Sequence, residues 1–272
     1  MNSPAVLNDT EFDKVRDLIY GRVGIKLADS KRAMVFGRLS RRLRQLKINC
    51  FRDYLGQLDD PDAEEWQFFT NALTTNLTSF FREAHHFDAL ADYLRSHKDK
   101  PLVRIWCTAA STGEEPYSIA MVVAEVGKDG PRAVEILASD VDTHVLEHGV
   151  HGIYGLDRIE KLDKRRIRHF FLRGTGPNEG FCKVRPELRK MIQFQRINLL
   201  DARWPVPDKI DVIFCRNVMI YFDKDTQCRL IQHFVQHMHA DSLFIAGHSE
   251  SFYHCAQMLT SEGRTVFRKA GP

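Results

Sequence analysis

The spacing of apolar positions changes near residue 100. Up to about residue 85 they recur at helical intervals. Phe12, Val15, Leu18 and Ile19 follow a Leu7-Asn8-Asp9-Thr10 stretch that offers capping side chains, and Gly21 and Gly24 are expected to break this helix. Further helices are predicted over about 30–47, 51–58 and 63–73, with Pro61 ending the third region. Beyond residue 100, short β-rich runs appear at 102–107, 134–138, 191–197, 210–215 and 243–246, with helical patterns at 116–126, 143–149 and 224–238 between several of them. Strands alternating with helices predict an α/β fold, a mostly parallel sheet covered by helices on both faces. The chain therefore divides into a helical segment, 1–85, and an α/β segment, 86–272.

Composition narrows the class. At 272 residues with 43% apolar content, the chain can bury two cores. A net charge of +3 does not by itself specify a polyanionic partner, so electrostatic recognition must come from local clusters. No apolar run nears the roughly 18–20 residues of a membrane span, and residues 1–13 lack a basic-then-apolar leader pattern. A cytoplasmic protein without membrane insertion is expected. Cys50, Cys107, Cys182, Cys215, Cys228 and Cys255 form no Cys-x-x-Cys pair, so neither a disulfide framework nor a zinc site is expected. Three of them lie in or beside apolar runs and read as buried thiols.

In such sheets ligands bind at the carboxyl ends of strands. The first strand runs into Cys107-Thr108-Ala109-Ala110-Ser111-Thr112-Gly113-Glu114-Glu115-Pro116. Its small residues allow a close backbone approach to a ligand, but two glutamates stand where a phosphate loop would place lysine. This disfavours ATP or NAD and favours a ligand with cationic groups, such as the ammonium and sulfonium of S-adenosylmethionine. The same glutamates also suit a helix N-terminus. Asp140 ends the second strand, positioned to accept ribose hydroxyls; either Asp140 or Asp142 can instead cap the next helix. Asn198 is placed to cap or to bind adenine. Arg216, Asn217 and Tyr221 follow an apolar strand, where polar groups are costly without partners. His233 and His237 share a helix face but lack the adjacent glutamate of a zinc protease, so no metal is expected.

Four stretches together carry a family resemblance. They are Asn76-Leu77-Thr78-Ser79-Phe80-Phe81-Arg82, Ser111-Thr112-Gly113-Glu114-Glu115-Pro116-Tyr117-Ser118, Ala138-Ser139-Asp140-Val141-Asp142-Thr143, and Phe214-Cys215-Arg216-Asn217-Val218-Met219-Ile220-Tyr221-Phe222. In sequence and order they resemble the chemotaxis receptor glutamate O-methyltransferase family, CheR, over nearly the whole chain. The resemblance implies a Rossmann-like S-adenosylmethionine-dependent methyltransferase domain preceded by an all-helical domain, and transfer of methyl groups to receptor glutamates. It implies cofactor contacts at Asn76, Thr78, Arg82, Glu115, Asp140, Asn198, Leu199, Arg216 and Asn217, and places Arg82 and Tyr221 near the transferred methyl. Whether Glu114 or Glu115 faces the cofactor stays open.

Two surfaces are expected to hold substrate. Lys31, Arg32, Arg38, Arg41, Arg42, Arg44 and Lys47 are basic in a stretch with no acidic residue, and Val35, Leu39, Leu43 and Leu46 form the opposite face. Lys31, Arg38, Arg41 and Arg42 suit a glutamate-rich receptor helix. The second is Gly174-Thr175-Gly176-Pro177, followed by two β-like runs ending near Arg189. It resembles a small antiparallel insert, at about 172–190, that in some family members captures an acidic-aromatic C-terminal receptor peptide. The expected partners are thus receptor helices and tails, with the enzyme a monomer. A nucleic-acid methyltransferase is the alternative for a basic helix, but the Asn-Pro-Pro-Tyr arrangement expected for base methylation is missing, and no nucleic-acid partner is expected.

Overall fold

The computed structural model describes residues 6–270. Residues 1–5, on which the leader-pattern expectation partly falls, and 271–272 lie outside the described residues. Two compact units are present: Met1–Thr75 with Tyr221–Asp223, and Asn76–Ile220 with Lys224–Pro272.

The first unit is helical, with α1 (Asp9–Val23), α2 (Arg32–Leu46), α3 (Phe51–Gly56) and α4 (Glu65–Leu73). Asn8 and Glu11 form a reciprocal capping box at the start of α1. Gly21 does not break α1. Phe12, Val15, Ile19 and Val23 are all buried along one face, which outweighs the roughly 1 kcal/mol cost of an interior glycine. Gly24, at φ 74°, ends the helix. Val35, Leu39 and Leu43 bury the apolar face of α2.

The second unit contains α5 (His85–Ser96), β1 (Val103–Cys107), α6 (Glu114–Val126), β2 (Val134–Asp140), α7 (Thr143–His151), β3 (Ile153–Gly155), α8 (Lys164–Phe170), β4 (Phe171–Arg173), β5 (Phe181–Val184), α9 (Pro186–Arg189), β6 (Ile192–Arg196), β7 (Ile210–Cys215), α10 (Lys224–His237), β8 (Met238–Ala246), β9 (Leu259–Gly263) and β10 (Val266–Lys269). The main sheet has the order β6-β2-β1-β7-β8-β10-β9. Its first five members pair in parallel, and the last two add antiparallel strands. This is the expected α/β architecture. β7 is buried at every position, as a central parallel strand should be.

The small sheet is antiparallel, in the order β3-β5-β4. It differs from the expected insert. Only one strand follows the Gly-Thr-Gly-Pro turn, because Pro186 opens the short helix α9 where a second was expected. The other two strands lie upstream of the turn, and β3 is too short to show alternation.

Candidate active site

The turn after β1 is held in a shape few residues allow. Ser111 and Gly113 both have positive φ, at 48° and 100°. A Cβ on Gly113 would lie 2.7 Å from the Tyr154 hydroxyl and 2.9 Å from Gly149 Cα, so a larger residue requires movement. Tyr154, from β3, donates to the Thr112 carbonyl at 2.8 Å and props the turn. The Ser111 N–H donates to the Asp140 carboxylate at 2.9 Å, and the Asp142 N–H donates to its other oxygen at 3.0 Å. Burial nevertheless pushes the Asp140 carboxyl up to about 6, against the opposing effect of these N–H donors. Asp142 is the helix cap: it accepts from the N–H groups of His144 and Val145 at 3.0 and 3.4 Å. Asn76 Nδ2 also donates to Asp142, at 2.9 Å.

Arg216 gathers the next group. It follows β7 and its side chain is fully buried. It pairs with Glu115 in the first turn of α6 and with Glu83 at 3.4 Å, and it donates to the Arg82 carbonyl. Burial opposes the guanidinium charge, but Glu115 and Glu83 outweigh it and hold the Arg216 pKa above its ordinary value. Burial likewise opposes the Glu83 charge, and Arg216 more than offsets it, keeping the Glu83 pKa low. Glu114 points elsewhere, to Arg158 and the Thr112 hydroxyl. The two glutamates therefore differ in partner: Glu115 pairs with Arg216 and Glu114 with Arg158. Arg82 donates to the Leu77 carbonyl at 2.9 Å. It lies between Phe81 and Glu83, both with positive φ, at 52° and 57°, a costly backbone for non-glycine residues.

Asn217 also has positive φ, at 58°. Its N–H and those of Val218, Met219 and Gly247 all donate to the buried Glu250 carboxylate, at 3.0, 3.0, 2.8 and 2.5 Å. Gly247 must be small, since a Cβ there would lie 2.3 Å from Asn217 Nδ2. Asn198 follows β6 and accepts from the Leu200 N–H at 3.1 Å; the Leu199 carbonyl accepts from the Trp204 indole at 3.2 Å. The Thr78 carbonyl accepts from Arg158 at 2.8 Å. Asp140, Glu115, Arg216 and Asn217 therefore cluster after the ends of β1, β2 and β7, which are neighbours in the sheet. Glu83, Arg158 and Glu250 were missed from sequence, whereas Asp142 is one of the two caps expected. Glu250 had one available signal, a carboxylate three residues past a strand-end glycine.

The remaining candidates belong to other elements. Tyr221 groups with the helical unit, where its carbonyl accepts from the Lys26 N–H at 3.2 Å. Lys31, Arg38 and Arg41 are exposed. Arg42 is not a free surface charge: it forks onto Glu65, with Nη2 2.6 Å from the carboxylate, and covers the Phe68 ring at 3.7 Å. Arg38 also donates to the Thr74 and Ala72 carbonyls, at 2.5 and 3.2 Å. Gly174, Thr175 and Gly176 form the β4–β5 connection, where the Gly174 N–H donates to the Phe181 carbonyl at 2.9 Å. A Cβ on Gly174 would lie 2.1 Å from the Asn178 carbonyl oxygen. One expectation about cysteine is overturned: Cys228 and Cys255 form a disulfide. They are 27 residues apart and come from α10 and a short turn, so no local spacing could announce the pair.

The chemistry at the strand ends fits S-adenosylmethionine. Backbone N–H groups of Ser111 and Asp142 donate to the two Asp140 oxygens, and a carboxylate can accept about four hydrogen bonds in all. The turn after β1 carries carboxylates rather than a phosphate-binding lysine. Residues 76–267 match the domain described as CheR methyltransferase, SAM binding domain, and residues 10–74 match CheR methyltransferase, all-alpha domain. The chain belongs to the CheR methyltransferase family. It is 50% identical over 262 residues to chemotaxis protein methyltransferase 2 of Pseudomonas aeruginosa, covering 96% of this chain and 93% of that one. It is 47% identical over 268 residues to the chemotaxis protein methyltransferase of Escherichia coli, covering 98% and 93%. The family assignment and the cofactor agree with the motifs after β1, β2 and β7, and the chain is a methyltransferase that uses S-adenosylmethionine. No helix among the described residues is long and apolar enough to cross a membrane.

Proposed function

We propose that this enzyme esterifies glutamate side chains on the cytoplasmic helices of chemotaxis receptors. The observation that carries the reading is the Asp140, Glu115 and Arg216 cluster after adjacent strands, in a chain nearly half identical to chemotaxis protein methyltransferases along most of its length. Bound S-adenosylmethionine supplies an electrophilic methyl group and its own leaving group. A substrate glutamate, with an ordinary pKa of about 4.3, is already ionised at neutral pH, so no protein base is required.

The protein's part is binding, orientation and exclusion of water. Asp140 takes the ribose hydroxyls, and the fixed Arg216–Glu115 pair shapes the neighbouring wall. Arg82 is the candidate for orienting the incoming carboxylate; Tyr221 is a second candidate through its place in the Arg216-to-Tyr221 motif. Holding carboxylate and methyl at near-attack distance is worth about 7–11 kcal/mol. The exposed cations of α2, Lys31, Arg38 and Arg41, attract an acidic receptor helix. The β3-β5-β4 sheet serves as a separate tether for a receptor tail.

The test is transfer of radiolabelled methyl from S-adenosylmethionine to receptor cytoplasmic fragments. Product that releases methanol in mild base is a carboxyl ester. Label in nucleic acid, or protein label resistant to base, would sink the glutamate assignment.

A further inference from the structure

The loop after β8 does two things at once. Glu250 in this loop collects the N–H groups of Asn217, Val218, Met219 and Gly247, fixing the backbone beside the cofactor cluster. A few residues later the same loop is joined to α10 by the Cys228–Cys255 disulfide, with Cα atoms 5.8 Å apart. Cys228 is half-buried and Cys255 buried. The remaining cysteines among the described residues are free thiols. His254 lies between these features: its ring nitrogen falls within 4.8 Å of both sulfurs, and its Nε2 is buried with no hydrogen-bond partner among the described residues. An imidazole in this position can take a thiol proton and leave the more nucleophilic thiolate.

We propose that Cys228 and Cys255 are a reversible thiol–disulfide site that sets how firmly the Glu250 loop holds Asn217, and so tunes affinity for S-adenosylmethionine. In a reducing compartment a disulfide is transient and serves sensing rather than scaffolding. The oxidant is a peroxide. The Cys228 thiolate, its proton passed to His254, attacks the peroxide oxygen; the O–O bond breaks, and with that proton one water leaves and a sulfenic acid remains. The Cys255 thiol then attacks the Cys228 sulfur, the S–S bond forms, and a second water leaves. Two thiols are oxidised and one peroxide is reduced to two waters. A dithiol reverses the step, becoming a disulfide as Cys228 and Cys255 regain their hydrogens. The proposal rests on the reading that Asn217 belongs to the cofactor site.

Two readouts on the full chain test it. Protein treated with hydrogen peroxide or dithiothreitol is trapped with N-ethylmaleimide and digested without reduction. The expected result is a Cys228–Cys255 linked peptide in the oxidised sample and alkylation of both cysteines in the reduced one. Calorimetry with S-adenosylmethionine should then show the reduced form binding at least about fivefold more weakly, the lower end of ordinary coupling between sites. Cys228→Ser should bind like the reduced form under both treatments, while Cys50→Ser should respond like the parent. Equal affinity in both forms overturns the switch. Failure of both forms to bind overturns the cofactor-site reading with it. Absence of the linked peptide, or stoichiometric zinc retention by Cys228, His254 and Cys255 that blocks its formation, overturns the redox site itself.

Discussion

The Ser111 N–H donates to the Asp140 carboxylate at 2.9 Å, joining the turn after β1 to the end of β2. The bond fixes Asp140, whose proposed role is to accept from the cofactor ribose, while burial pushes its carboxyl up to about 6. The two effects give opposite pH trends. A raised carboxyl pKa means the folded, ligand-free protein favours the protonated form, so this part of its stability is present at low pH and lost as pH rises through about 6. Cofactor binding needs the ionised form and should weaken about tenfold per pH unit below the pKa. Calorimetry between pH 5 and 8 checks this. Asp140→Ala should weaken binding by about 1.5–3 kcal/mol with the fold retained; unchanged affinity would remove Asp140 from the site.

The cations of α2 should separate by their partners. Arg38→Glu with Arg41→Glu should leave cofactor affinity near normal and raise the apparent KM for receptor, with the effect shrinking at high salt. Arg42→Glu should instead destabilise the helical unit by about 1–3 kcal/mol, because it places a second carboxylate against Glu65 and removes the guanidinium from Phe68. Urea unfolding beside methylation rates distinguishes them. Normal methylation by the double variant at low salt would place docking elsewhere.

What the sequence reveals follows from how local each signal is. β7 matches its expected limits because an apolar run, interrupted only by Asp211, stops at Arg216. β9 escapes notice because only Leu259 in it is buried and no alternation survives. Asp140 and Arg216 stand out as polar residues at the ends of apolar strands. Glu83 and Glu250 do not, since their partners are a distant guanidinium and backbone N–H groups that no side-chain pattern records. Arg42 reads as a solvated charge until its counterion on another helix is known.

His86 should give the protein an acid-sensitive step. Its side chain is fully buried, and burial, followed by the Arg216 charge, pushes its pKa down to about 4. The folded state therefore prefers neutral imidazole. The associated stability is complete above the ordinary value of 6.5 and is lost as pH falls toward 4. The full window corresponds to about 3 kcal/mol. Urea midpoints measured from pH 7 to pH 4 should fall less steeply in His86→Gln, even if that variant starts less stable. Parallel slopes would assign the acid step to another group.

The small sheet should act as a tether that leaves the chemical step untouched. β4 and β3 lie at its two edges, where unpaired backbone groups can accept an extended peptide as an added strand. Leu172 on β4, Ile153 on β3 and Phe181 on the central β5 are exposed large apolar side chains. Arg173 and Lys183 are exposed beside them, and Arg185 and Arg189 follow. This surface suits a tail that is both aromatic and acidic. The Gly174-Thr175-Gly176 turn sets the β4–β5 pairing, and the close approach of the Asn178 carbonyl leaves no room for a Cβ at Gly174. Deleting these three residues should abolish peptide binding and spare binding of S-adenosylmethionine. Methylation should slow only for receptors that carry the tail, because tethering acts through an effective concentration in the mM range for a short linker. Arg173→Glu with Lys183→Glu should weaken the same binding without disturbing the turn, separating lost recognition from lost folding of the insert. Calorimetry with receptor C-terminal peptides decides the matter: an intact protein that binds no acidic-aromatic tail has no tether here, and its methyltransferase chemistry is unaffected.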